Sequence, residues 1–194
     1  MCIRDRKHTA QQFFDAFELA RKCGFDNINT DLIAGLPTDT PESFKNSLDS
    51  IVRLNAECIT VHTLCMKRAS RLTTEGVTLD LQQARDAREM LAYTQNILGQ
   101  NEYIPYYMYR QSRMVGNLEN VGWSKKGFES LYNVYVMDET HTILACGSGG
   151  VTKLKRNNPD YLERIFNFKY PYEYIDRFDE LIQRKSGIMQ FYGQ

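Results

Sequence analysis

The sequence has no excess of charge: 24 Lys and Arg stand against 24 Asp and Glu in 194 residues. No global field therefore draws it to nucleic acid or to an anionic membrane. Long apolar runs are also missing. The stretch from Ile28 to Leu36 is broken by Asn29, Thr30 and Asp31 and is too short to cross a bilayer. No apolar segment follows the charged start Met1-Cys2-Ile3-Arg4-Asp5-Arg6-Lys7, which excludes a secretory signal and makes the cytoplasm the expected compartment. Residues 1–7 are expected to be a non-native leader, with the true amino terminus missing. The five cysteines, at 2, 23, 58, 65 and 146, are odd in number and scattered. They imply no disulfide framework, and none falls in a C-x-x-C or C-x-x-x-C-x-x-C cluster, so no complete ligand set for zinc or an iron–sulfur centre is expected.

What is present is an ordinary globular composition, 42% hydrophobic and 25% charged. Thr9 with Gln12 reads as a capping box, Phe13, Phe17, Leu19 and Ala20 recur at helical spacing, and Gly24 is a stop. Ile28 to Ile33 then reads as a strand running into Gly35-Leu36-Pro37. A second helix is expected from Thr40, with Pro41 at its first position, Glu42 in its first turn, and Phe44, Leu48, Ile51 and Val52 as its buried stripe. Cys58 to Leu64 is a second strand. Helix, strand, helix, strand argues for parallel strands joined by crossover helices. Two such units cannot close a barrel, which in its eight-stranded form takes about 250 residues.

Beyond the basic loop Met66 to Arg71, Asp80 opens a helix of about five turns ending near Gly99. Tyr103 to Tyr109, Tyr132 to Met137, Thr142 to Cys146 and Val151 to Leu154 read as strands, with Asp138 to His141 as a hairpin turn. Asn158-Pro159-Asp160 and Tyr172 lead into two terminal helices. The expected fold class is α/β, with a second, α+β domain from about residue 76.

Asn29-Thr30-Asp31-Leu32-Ile33-Ala34-Gly35-Leu36-Pro37, followed by Thr40-Pro41-Glu42-Ser43-Phe44, resembles the DLIxGLPxxTxxSF element of oxygen-independent coproporphyrinogen III oxidases, a family of radical S-adenosylmethionine enzymes. Ile59 to Leu64 matches the family's next barrel strand, and Ala145 to Thr152 its carboxy-terminal glycine-rich segment. Tyr106 to Gln111 with Asn117 to Gly122 is similar to one bacterial branch. The resemblance implies the last strands and helices of a partial (β/α)6 barrel in residues 8–75 and a smaller α+β domain in 76–194. It also implies S-adenosylmethionine and a [4Fe–4S] cluster as cofactors, a deoxyadenosyl radical as the agent, and a tetrapyrrole substrate whose propionates become vinyl groups. The electron donor and acceptor stay open, and the C-x-x-x-C-x-x-C motif is absent from this sequence, so the chain alone is expected to be inactive. Relatives with much the same barrel act as haem chaperones, which is the leading competing expectation, and a radical S-adenosylmethionine enzyme with another substrate is the third.

The resemblance makes Asp31 a ligand for S-adenosylmethionine; a carboxylate accepts hydrogen bonds from a ribose diol. Its ordinary alternative is to cap a loop. Gly35 is a candidate cofactor neighbour or a turn maker. His62 is a candidate for backbone contact with the cofactor, or a hydrogen-bonded structural residue. Gly147, Gly149 and Val151 are candidates for close backbone approach to the cofactor, or a bulge. Lys67, Arg68 and Arg71 either form a solvated basic loop or face the substrate, where the guanidinium groups of Arg68 and Arg71 would clamp its propionates. Tyr103, Tyr106, Tyr107 and Tyr109 either flank a flat tetrapyrrole or fill core. His141 is read as a solvated turn residue.

Overall fold

Helix α1 (Ala10–Lys22) begins at the expected capping box: Gln12 N–H donates to Thr9 Oγ1 at 3.2 Å, and Thr9 N–H donates to Gln12 Oε1 at 2.7 Å. The structure, a computed structural model, describes residues 9–37, 39–65, 81–110, 114–157 and 160–193. Phe17 is the buried residue of α1, whereas Leu19 is 60% exposed and lies off the apolar stripe expected of it. Strand β1 (Asn29–Ala34) follows, then α2 (Pro41–Arg53), whose N-cap Thr40 exchanges hydrogen bonds with Ser43 in a second capping box. Strand β2 (Cys58–Thr63) pairs parallel to β1, from Asn29 opposite Cys58 to Ala34 opposite Thr63, as the alternation of elements requires.

Helix α3 (Leu81–Gln100), β3 (Ile104–Tyr109), a 3-10 turn at Val115–Asn117 and β4 (Asn120–Ser124) complete the first unit. The sheet order is β1-β2-β4-β3, with β4 antiparallel to both neighbours. Leu32, Ala34, Ile59 and Val61 share one face of the sheet and meet Phe44, Leu48 and Ile51 of α2 and Met90 and Leu98 of α3. Fully burying one such large side chain stabilises by about 1.5–3 kcal/mol. At the end of this core Arg21 Nη2 donates to both carboxylate oxygens of the buried Glu57, at 2.7 and 2.8 Å, and Ile28 N–H donates to Oε2 at 3.0 Å.

Grouped by contacts, the chain divides into a unit ending at Ser130 and one starting at Leu131. Because β4 inserts between β2 and β3, α3, β3 and β4 belong by packing with the parallel pair.

The second unit departs from expectation in three places. Leu131–Asp138, expected to contain a strand, is helix α4, although it contains Val134, Tyr135 and Val136. Lys153 closes its end, donating from Nζ to the Val136 carbonyl at 3.3 Å and pairing with Glu139 at 2.7 Å. A cation at a helix carboxy terminus satisfies orphan carbonyls and complements the dipole, which outweighs a weak strand propensity. Thr142 to Cys146 does not form a strand but a single bridge, Ile143 to Lys153. Thr142 Oγ1 accepts from Lys155 N–H and Thr152 Oγ1 from Ala145 N–H, so hydroxyl groups take the places of ladder carbonyls. Asp160 opens a strand, not a helix: β5 (Val151–Asn157) and β6 (Asp160–Phe166) pair antiparallel. The terminal helices are α5 (Pro171–Asp176) and α6 (Phe178–Tyr192), and Leu154, Ile165 and Phe191 form this unit's small core.

Candidate functional site

Alternation along β1 puts Thr30, Leu32 and Ala34 against the helices and leaves Asn29, Asp31 and Ile33 on the opposite face. The parallel register sets Thr60 opposite Asp31 and His62 opposite Ile33, so both belong to that face. Asp31 is the third of six residues in β1, in mid-strand.

Asp31 is held from two sides. Asn29 Nδ2 donates to its Oδ1 at 2.7 Å, and His62 Nε2 stands 3.7 Å from its Oδ2, within ion-pair reach but outside hydrogen-bond distance. His62, the Asn29 amide and the Thr60 hydroxyl together hold the carboxyl below its usual range, against desolvation, which pushes it up. The Asp31 side chain is nevertheless 59% exposed, so the carboxylate keeps lone pairs for a ligand.

Two tyrosines on β3 reach the same group across β4. Tyr107 lies opposite Gly122, and its hydroxyl stands 3.4 Å from Thr60 Oγ1 on β2; Thr60 in turn donates to Asn29 Oδ1 at 3.1 Å. A Cβ on Gly122 would sit 1.8 Å from Tyr107 Cε1, so only glycine lets the ring lie over β4. Tyr109 lies opposite Asn120, and its hydroxyl stands 3.3 Å from His62 Nδ1. The two rings are near-parallel, with centroids 6.3 Å apart. Burial pushes both phenols above their ordinary pKa, so they stay protonated donors near neutrality.

Sequence reading missed Asn29, Thr60 and Gly122 and left Tyr107 and Tyr109 undecided. The period of two in Asn29/Asp31 and Thr60/His62 was a usable signal. The tyrosines had none until β4 was seen to run between β2 and β3. Tyr103 points the other way: it is buried in the helix-side core, donates to the Ala56 carbonyl, and is pushed up to about 12 by burial and by the charge of Glu57.

The other candidates have local partners of their own. Gly35, at φ +83°, packs beside Ala87 and Val115, and its N–H points to Met90 Sδ at 3.3 Å; a Cβ there would meet Ala87 at 3.2 Å. Gly147 and Gly149, both at positive φ, and Val151 lie in the second unit. Gly147 O accepts from Asn167 Nδ2 at 2.7 Å, Gly147 N–H donates to Tyr174 Oη at 3.2 Å, and Gly149 N–H donates to Phe168 O at 2.7 Å. Val151 opens β5 opposite Phe166. Lys67, Arg68 and Arg71 lie outside the described residues. His141 packs on Tyr135 with ring centroids 4.2 Å apart. A separate recess on the helix side of the sheet is lined by Arg88, Gln95, Arg110 and Trp123. No group of three or more His, Cys, Asp or Glu among the described residues is placed to hold a metal ion, so these residues do not fit an iron–sulfur cluster. No helix among them is long and apolar enough to cross a membrane.

No protein-family profile matches the sequence. Among solved structures the chain superposes on Escherichia coli coproporphyrinogen III oxidase (HemN), described as a radical SAM enzyme. The TM-score is 0.62 at 18% identity, over 92% of this chain and 40% of that one, which shows a shared fold. Its sequence relatives show that the chain belongs to the oxygen-independent coproporphyrinogen-III oxidase family. It is 36% identical over 185 residues, 95% of its length, to the oxygen-independent coproporphyrinogen-III oxidase-like protein HemZ of Bacillus subtilis. It is 30% identical over 162 residues, 79% of its length, to the heme chaperone HemW of Lactococcus lactis. It spans 37% and 38% of the lengths of these two relatives.

Proposed function

We propose that these 194 residues are the carboxy-terminal part of a longer protein that converts coproporphyrinogen III to protoporphyrinogen IX in haem biosynthesis. Two propionates are oxidatively decarboxylated to vinyl groups, without oxygen. In this reading residues 8–75 are the carboxy-terminal part of the barrel, 76–194 form an α+β carboxy-terminal domain, and the protein is cytoplasmic. The observation that carries the reading is the Asp31 group: an ionised, accessible carboxylate, braced by Asn29 and His62, on the face of a parallel strand pair opposite α2 and α3.

A nucleoside fits there, because a carboxylate accepts from both hydroxyls of a ribose diol. Asp31 would hold S-adenosylmethionine, which, together with a [4Fe–4S] cluster bound by cysteines outside this sequence, supplies the radical chemistry when present. The sheet's own part is to orient the adenosyl group and keep water from one side of it. Gly35, His62, Gly147, Gly149 and Val151 remain the proposed cofactor neighbours. Arg68 and Arg71 are proposed to clamp the propionates of the tetrapyrrole as bidentate donors. No step through the cluster is assigned to this chain.

The likeness to a heme chaperone over 79% of the chain supports a second reading, in which the longer protein binds haem and delivers it. Anaerobic incubation of that protein with coproporphyrinogen III, S-adenosylmethionine and a reductant, followed by chromatography, separates the two. The first reading expects divinyl product. Stoichiometric haem binding and transfer without product overturns it in favour of the second.

A further inference from the structure

Asp31 does not stand alone, and its neighbours form a directed chain. Tyr109 faces the Nδ1 side of His62, and the Nε2 side of the same ring faces Asp31 Oδ2. The Tyr109 hydroxyl, which keeps its proton because burial raises its pKa, is able to donate to Nδ1. An imidazole whose Nδ1 accepts from the hydroxyl carries its proton on Nε2. Asn29 holds the opposite oxygen, Oδ1, and is itself fixed through Thr60.

We propose that His62 and Tyr109 are positioning residues for Asp31: Tyr109 fixes the tautomer of His62 with the proton on Nε2, and His62 and Asn29 hold the carboxylate from its two sides so that its plane is presented to a ribose diol. This deepens the reading above and rests on it. The aromatic pair on β3 accordingly serves through its hydroxyls. Tyr107 lies over Gly122 with its hydroxyl towards Thr60, and Tyr109 is directed at His62.

The test uses the longer protein and equilibrium binding of S-adenosylhomocysteine, a redox-inert probe that reports affinity independently of turnover. Asp31→Asn removes the charged acceptor and is expected to weaken binding by roughly 10- to 100-fold. Tyr109→Phe keeps the ring and removes one hydroxyl; it and His62→Ala are each expected to weaken binding about three- to tenfold. His62→Gln, whose amide N–H stands near the place of Nε2–H, is expected to restore most of what His62→Ala loses, which a merely space-filling histidine would not allow. The double variant Tyr109→Phe/His62→Ala is expected to match His62→Ala alone, because the phenol acts through the ring. Unchanged affinity in Asp31→Asn overturns the site itself. A weakened Asp31→Asn beside unaltered Tyr109→Phe and His62→Ala, or a His62→Gln no better than His62→Ala, overturns the positioning chain and leaves the site standing.

Discussion

Replacing Gly122 by alanine puts a methyl carbon 1.8 Å from Tyr107 Cε1, 2.4 Å from Cδ1 and 2.6 Å from Cζ. Contacts this short cannot be absorbed by tenths of an ångström, so the phenol ring must swing off the sheet. Forcing a ring from a packed position costs about 1–3 kcal/mol, and losing the Tyr107–Thr60 hydrogen bond adds roughly 0.5–1.5 kcal/mol. In a Tyr107→Ala background the obstructing ring is already gone, and Gly122→Ala should then cost within about 0.5 kcal/mol of nothing. The double-mutant cycle is therefore expected to show a coupling of about 2 kcal/mol or more. Trp123, the only tryptophan and the next residue on β4, is buried and reports unfolding directly. Urea titrations followed by its fluorescence give the four stabilities. Equal costs of Gly122→Ala in both backgrounds would refute the idea that Tyr107 crosses β4 above this glycine.

Arg21→Met leaves the buried Glu57 carboxylate without its bidentate partner and is expected to cost about 2–3 kcal/mol at pH 7 by urea denaturation. Burial raises the Glu57 pKa, but Arg21 and the Ile28 N–H outweigh it and bring it below 4.5. The pair's contribution is thus fully present above pH 4.5 and lost as pH falls through the lower folded value. The gap between wild type and Arg21→Met should accordingly close on acidification, and a gap that widens would contradict the assignment. Tyr103→Phe strands the buried Ala56 carbonyl and is expected to cost about 1–3 kcal/mol in the same titration, with one fewer phenol titrating near 12 in the ultraviolet.

Much of the first unit was legible because its signals are local. Thr9 with Gln12, and Thr40 with Pro41, fix helix starts by side-chain chemistry within four residues. The stripe Phe44, Leu48 and Ile51 marks the buried face of α2, and alternation with β1 and β2 implies the parallel pair. What was not legible depends on partners distant in sequence. The helix at Leu131–Asp138 buries none of its own residues and is closed by Lys153, so its strand-like Val134 and Val136 misled. Thr142 and Thr152 break the expected third strand by offering hydroxyls where carbonyls would pair. Asp31 was singled out from its motif, whereas the reach of Tyr107 and Tyr109 depends on a strand order that no spacing announces.

Strand β1 ends its sheet, and among the described residues nothing pairs with its outer rim, where Ile33 is 42% exposed. A row of vacant amides and carbonyls beside an apolar side chain is a template for one more strand from any source. Produced by itself, this polypeptide is therefore apt to recruit a second copy along that rim and cluster, and a short capping peptide or a companion segment laid there would be the physical remedy.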